Sequence, residues 1–310
     1  AGVVRLLRVH REDIARRAGR PIEITAIADL DTRTDRGVNP RPARLTTDAM
    51  SVLNDPTLDI IIELVGGYEP ALRFVLRAIE QGKDVVTANK ALLAVHGEEI
   101  VAAAERAGAR LGFEASVGGG IPIVRALKEG MAGDRTLAVY GIVNGTCNHI
   151  LTTMTRDGAS FDTVLADAQR LGLAEANPSA DIDGTDSAHK LAILTALAFN
   201  VQPRFKDIPT EGIRRIDALD IAFAKELGYT IKLLAIAKEG DDAIEARVHP
   251  TMIPSRSLLA DVGGAFNAIV LQGEALGRTM YYGQGAGAQP TATAVVADLI
   301  AAVRDRAVGE

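Results

Sequence analysis

The stretch LDIIIELVGGYEPALRFVLRAIEQGKDVVTANK, residues 58–90, decides the fold. Its opening LDIIIELV (58–65) is a short, nearly unbroken apolar run, the pattern of a strand covered on both faces. Gly66 and Gly67 end that run, and EPALRFVLRAIEQGK follows as a helix with Pro70 near its first turn, where a missing N–H costs nothing. DVVTA (84–88) reads as another strand, and Asn89 and Lys90 lead into the helix ALLAVHGEEIVAAAERAG.

On either side the alternation continues. IEITAIADL (22–30) precedes as a strand and ARLGFEASV (109–117) follows as a fourth. Strands alternating with helices predict a Rossmann-like, doubly wound parallel sheet that binds ligands at the carboxyl ends of its strands. Gly66, Gly67, Asn89 and Lys90 all lie at such ends, although ordinary turn chemistry explains the two glycines equally well. The front of the sequence departs from the pattern. AGVVRLLRVHREDIARRAG (1–19) reads directly as a helix, whereas a dinucleotide fold has a strand and a Gly-x-Gly-x-x-Gly turn before it. The expectation is an N-terminal segment ahead of Ala1, with Gly2 just past the phosphate cradle.

Beyond residue 126 the character changes to a mixed α+β pattern, with strands such as IKLLAIAKE and IEARVHPTMI. The glycine-rich YYGQGAGAQ and the helix after it, from residue 285, return to the first domain. This gives 1–125 with 285–310 as the dinucleotide-binding domain and 126–284 as the second domain. With 310 residues, 47% of them hydrophobic, and a mean hydropathy of +0.12, the chain can bury large cores. A net charge of -6 argues against nucleic acid or an anionic membrane as partner. No apolar run is long enough to span a bilayer, no secretory leader is apparent, and the single Cys147 fits a reducing cytoplasm. No His/Cys cluster of metal-site type appears.

The decapeptide DIDGTDSAHK (181–190) crowds charge beside the greasy LAILTALAF. Helical spacing predicts a helix starting near Asp186, capped by Asp183 or Thr185, so that Asp186 and Lys190 share a face at i,i+4. A solvated ion pair explains such a pair without any function. His189 faces away from both, because adjacent helix positions do not share a face.

Several stretches together resemble one family, homoserine dehydrogenase: DVVTANKALLA, GFEASVGGGIPIVRALKEG, GIVNGTCNHILTTM, GLAEANPSADIDGTDSAHKLAIL, ELGYTIKLLAIAKE and GRTMYYGQGAGAQPTATAVVADL. They run in family order through essentially the whole chain. The departures are the absent opening strand and glycine turn and the absence, after residue 310, of the regulatory domain that many members carry. The resemblance implies interconversion of aspartate 4-semialdehyde and homoserine with NAD(P)H, a step of threonine, methionine and isoleucine biosynthesis. It also implies a cytoplasmic homodimer whose second domain carries substrate binding, catalysis and dimerisation.

By that similarity Lys190 is the general acid that protonates the developing alkoxide, and Asp186 binds substrate beside it. Glu175 meets the substrate ammonium and, with Gly172, lies toward the cofactor, while Asp181 supports the substrate pocket. Lys90 positions cofactor or substrate and shares in catalysis. Asn89, Gly66, Gly67, Gly285 and Gly287 approach the cofactor. Glu114 and the carbonyls of Val117, Gly119 and Ile121 hold a monovalent cation such as sodium, in a structural role. Asp29 and Asp31 suit a ribose diol and Arg33 and Arg36 a 2′-phosphate, which leaves NADP as the expected cofactor and NAD as the alternative.

Two rival readings exist. In an acylating semialdehyde dehydrogenase Cys147 would be the nucleophile and His149 its base, although residues two apart on a helix do not face each other. A non-catalytic or truncated dinucleotide-binding protein would account for the missing glycine turn.

Overall fold

The computed structural model describes residues 1–309, with side chains through Arg306. The chain divides into two compact units, residues 1–120 with 287–310, and residues 121–286.

In the first unit the opening run forms two helices rather than one, α1 (Gly2–Val9) and α2 (Arg11–Ala18). The break at His10 lets Leu7, Ile14 and Ala18 all reach one core. Of the strand expected over 22–30, only β1 (Ala26–Ala28) is laddered, parallel to β2 (Arg44–Thr46), while Ile22 and Ile24 pack into the core. Helix α3 (Ala49–Leu53) follows, its first turn capped by the Asp48 carboxylate, which accepts from the Ser51 N–H. Strands β3 (Ile60–Glu63), β4 (Asp84–Thr87) and β5 (Leu111–Gly112) are parallel neighbours in that order, with Ile60 opposite Asp84 and Val85 opposite Leu111. They are connected by α4 (Ala71–Glu80), with Pro70 as N-cap, and α5 (Lys90–Ala107), which ends at a left-handed Gly108.

Alternation along β3 shows the double winding directly. Ile61 packs with Leu53, Val75, Ile79, Leu92 and Ile100 of α3, α4 and α5. Ile60 and Ile62 point the other way, toward Leu7 and Ile14 and toward Val296, Leu299 and Val303 of the helix Ala288–Gly309. Apolar side chains on both faces are what a covered parallel sheet requires. The expected fourth strand shortens to β5 because residues 114–116 turn into a 3₁₀ segment, where the Glu114 N–H donates to the Asp298 carboxylate at 2.7 Å.

The second unit begins with α6 (Ile123–Arg125) and is built on a five-stranded antiparallel sheet, order β10-β9-β6-β7-β8. Its strands are β6 (Thr136–Ile142), β7 (Tyr229–Glu239), β8 (Ile244–Pro254), β9 (Phe266–Gly273) and β10 (Gly277–Gln284). Between β6 and β7 run α7 (Gly145–Asp157), α8 (Phe161–Arg170), α9 (Ser179–Ile182), α10 (Thr185–Phe199) and α11 (Ala218–Glu226). Helix α10 is buried at every position from Asp186 through Thr195, so its polar residues lie inside the protein.

Candidate active site

Helix α10 starts at Thr185, but neither expected cap operates: Gly184, at φ 88°, is the N-cap and offers no side-chain oxygen. Asp183 turns outward and accepts from the Arg214 guanidinium at 2.9 and 3.2 Å. This frees Asp186 and Lys190, one turn apart, to project inward.

They form an ion pair at 2.7 Å, and each residue is only 8% exposed. The solvated-pair reading therefore fails on burial. The Lys190 ammonium also donates to the Val143 carbonyl at 2.6 Å. An ammonium has three N–H groups, and among the described residues these two partners hold it while a third remains to give. Buried charges at hydrogen-bond distance, held from two elements, form a preorganised electrostatic site.

Asn144 completes the cluster. Its amide Nδ2 donates to Asp181 at 2.8 Å and to Asp186 at 2.9 Å, while its Oδ1 caps α7 by accepting from the Cys147 N–H at 2.8 Å. Asp181, Asp186 and Lys190 are thus brought together as expected, and the residue joining them is one the sequence reading missed. An asparagine before Gly145 at the start of a helical run is a cap signal, and it could have flagged the position but not the two carboxylates.

Glu175 is exposed, on the segment between α8 and α9. That segment is tied down by the Thr146 hydroxyl donating to the Leu173 carbonyl at 2.8 Å and by Gln169 donating to the Glu175 carbonyl at 3.0 Å. Gly172 turns it at φ 72°. His189 stacks on Phe205 at 4.3 Å between ring centroids, so its buried ring has a packing role. Cys147 is fully buried, and its thiol donates to the Asp181 carbonyl at 3.2 Å. Burial first, then the carboxylates of Asp181 and Asp186, push that thiol well above its ordinary range, the reverse of what a nucleophile needs. Burial also lowers His149.

In the first unit, Gly66 and Gly67 follow β3 with φ 80° and 69°, and a Cβ at either would meet nothing within 4 Å. Open backbone of this kind suits a ligand approaching closely. Asn89 N-caps α5 by accepting from the Leu92 N–H at 3.1 Å, and its amide donates to the Gly67 carbonyl at 2.8 Å. Lys90, half-buried, opens the helix beside it.

Asp29 follows β1, and Arg36 bridges Asp29 at 3.1 Å and Asp31 at 3.7 Å. Asp31 is held down to about 2, chiefly by the Thr34 hydroxyl and then by the Thr34 and Arg33 amides. Glu114 is buried, Val117 is buried, and Gly119 has φ 60°. The Ile121 carbonyl accepts from the Ile123 N–H at 2.8 Å. A Cβ on Gly285 would lie 2.0 Å from the buried Asn267 amide, and Gly287 sits at φ 125°.

Comparison with known proteins gives a consistent result. A family model described as homoserine dehydrogenase matches residues 122–300, and one described as homoserine dehydrogenase, NAD binding domain, matches residues 1–114. Homoserine dehydrogenase of Pseudomonas aeruginosa is 48% identical over 305 residues, covering 98% of this chain and 69% of that protein. That of Bacillus subtilis is 43% identical over 309 residues, covering 100% of this chain and 71% of that protein. The crystal structure of a homoserine dehydrogenase from Thiobacillus denitrificans matches with a TM-score of 0.96 at 50% identity, covering 99% of this chain and 71% of that one. A hyperthermophilic archaeal homoserine dehydrogenase in complex with NADPH matches with a TM-score of 0.72 at 29% identity, covering 82% of this chain and 74% of that one.

Proposed function

Because this chain belongs to the homoserine dehydrogenase family, NAD(P)-dependent oxidoreductases that interconvert L-aspartate 4-semialdehyde and L-homoserine, we propose that Lys190 is its proton donor. Asp186, Asp181 and Glu175 bind the amino acid. The observation that carries this reading is a buried ammonium, fixed on Asp186 and the Val143 carbonyl, with a third N–H to deliver.

Gly66 and Gly67 fit a dinucleotide, since both leave their backbone open to close approach. Asn89 and Lys90 stand at the neighbouring strand end, while Gly172, Gly285 and Gly287 are carried into the cofactor site by family membership alone. A bound nicotinamide dinucleotide supplies or accepts the hydride. The chain's own residues handle the proton and the charge. In the reducing direction Lys190 hydrogen-bonds the carbonyl oxygen, which polarises it, and then gives its proton as that oxygen becomes an alkoxide. In the oxidising direction the lysine takes the hydroxyl proton back. Asp186 anchors the ammonium, and Asn144 fixes both carboxylates, so no reorganisation is needed as charge develops.

NADP is the preferred cofactor in this reading, because Arg36 already engages Asp29 and Asp31, the two acids that would otherwise accept a ribose diol, and Arg33 stands beside them as a cationic partner for a 2′-phosphate. Family membership further implies a monovalent cation such as sodium, held by Glu114, which is buried, and by the carbonyls of Val117, Gly119 and Ile121. The working form is a homodimer in the cytoplasm, where the free thiol of Cys147 is stable. Among the described residues no helix is long and apolar enough to cross a membrane.

Removing the Glu175 charge tests substrate binding. Glu175→Gln should raise the KM for homoserine about tenfold, because a charge-assisted contact made in the ground state is lost. An unchanged KM and kcat would take Glu175 out of the site.

A further inference from the structure

A buried carboxylate that takes no part in the proton chemistry stands behind the proposed cofactor turn. Glu63 ends β3 at 3% exposure, and Thr87, fully buried, ends the adjacent strand β4 directly opposite it. One carboxylate oxygen of Glu63 accepts from the N–H groups of Val65 and Gly66 at 2.6 and 3.2 Å. The other accepts from the Thr87 hydroxyl at 2.6 Å. The hydroxyl oxygen in turn accepts from the Asn89 N–H at 3.0 Å, and the Asn89 amide reaches back to the Gly67 carbonyl at 2.8 Å. The chain of bonds closes on itself: strand end, turn, helix cap and neighbouring strand end are one unit.

Among the described residues the three donors to Glu63 are all neutral. Burying a carboxylate without a cation is expensive, and a sequence selected for stability alone would do better with an apolar or hydroxyl side chain there. A carboxylate does what those cannot. Its two oxygens gather two amides of one turn and a hydroxyl of the next strand at the same time, which fixes a Gly66–Gly67 backbone that has no side chains of its own to hold it.

We propose that Glu63 and Thr87 are positioning residues that hold the Gly66–Gly67 turn and the Asn89 cap in the shape that receives the dinucleotide. The proposal rests on reading that turn as a cofactor surface. Neither residue touches the cofactor, so their effect appears as cofactor affinity.

The experiment uses the full chain and measures the NADPH Kd by fluorescence, the homoserine KM at saturating cofactor, and Tm, in Thr87→Val, Thr87→Ser, Glu63→Gln and Gly67→Ala. Thr87→Val removes only the hydroxyl and Thr87→Ser keeps it. The proposal predicts that Thr87→Val and Glu63→Gln weaken NADPH binding about tenfold, the loss of a hydrogen bond to a charged group, with the homoserine KM changed less than about twofold. Thr87→Ser should restore wild-type affinity. If Glu63→Gln does not fold, the valine and serine pair carries the test. Wild-type affinity in Thr87→Val with impaired binding in Gly67→Ala overturns the buttress and leaves the turn as a cofactor surface. Wild-type affinity in all four variants overturns both.

Discussion

The Cys147 thiol lies within the same shell as the Asp181–Asn144–Asp186 cluster, yet burial and two carboxylates hold it protonated. It should therefore ignore thiol reagents in the native fold. Under conditions in which the urea-unfolded chain reacts fully with iodoacetamide within minutes, the native chain should remain unlabelled and active. Labelling of the native chain at the rate of a free thiol, with parallel loss of turnover, would instead support Cys147 as nucleophile. The contrast with Lys190 shows what was legible at this scale. Spacing alone put Asp186 and Lys190 on one face, but spacing carries no information about burial, so a solvated pair stood as the simplest reading. Asn144 was hidden for a related reason. Its cap role is local, whereas its partners Asp181 and Asp186 are 37 and 42 residues away.

Among the elements, α7 and β7 are joined by a second buried polar knot. The Lys232 ammonium of β7 donates to the Asn148 Oδ1 of α7 at 3.0 Å, and the Asn148 amide donates to the carbonyls of Val262, Gly264 and Phe266 at 3.0, 3.0 and 3.1 Å. This presses the Ala265 carbonyl so close to Gly145 that a Cβ there would lie 2.7 Å from it. Burial, opposed only by Asp261, pushes Lys232 down to about 8. Its native value is below its unfolded value of about 10.4, so between those two pH values the unfolded chain binds the extra proton and stability rises with pH. The difference between wild type and Lys232→Met in urea unfolding should move in favour of wild type between pH 7.5 and pH 10, by on the order of 2 kcal/mol. A difference that stays flat across that range would contradict a buried, depressed lysine. β7 is legible from its apolar run, whereas Lys232 is not, since a lone lysine in a strand has no periodic signal. The bend at His10 and the shortening of the strand at 22–30 were also out of reach, because each depends on which side chains the core accepts.

For the whole molecule, the first unit was legible because local punctuation carries its topology. Each strand of β3 and β4 ends in a turn signal, Gly66 with Gly67 or Asn89 with Lys90, and the connecting helices fix the parallel order. The antiparallel sheet of the second unit was legible only as a class. Its order β10-β9-β6-β7-β8 places β6 between two strands more than 80 residues later in sequence, and no local pattern specifies such pairing. Function was legible through motifs distributed over both units, which neither periodicity nor composition would have joined.

Lys190, as the proposed donor of the reaction's proton, has a kinetic consequence that separates chemistry from cofactor binding. The most direct measurement is homoserine-dependent NADP reduction by Lys190→Ala beside wild type, with the NADPH Kd of both determined on the same samples. The prediction is a fall in kcat of about 10²–10⁴-fold, the worth of a general acid, with NADPH affinity within about twofold of wild type. A kcat within about threefold of wild type, or a collapse of NADPH binding that accounts for the loss, would contradict it.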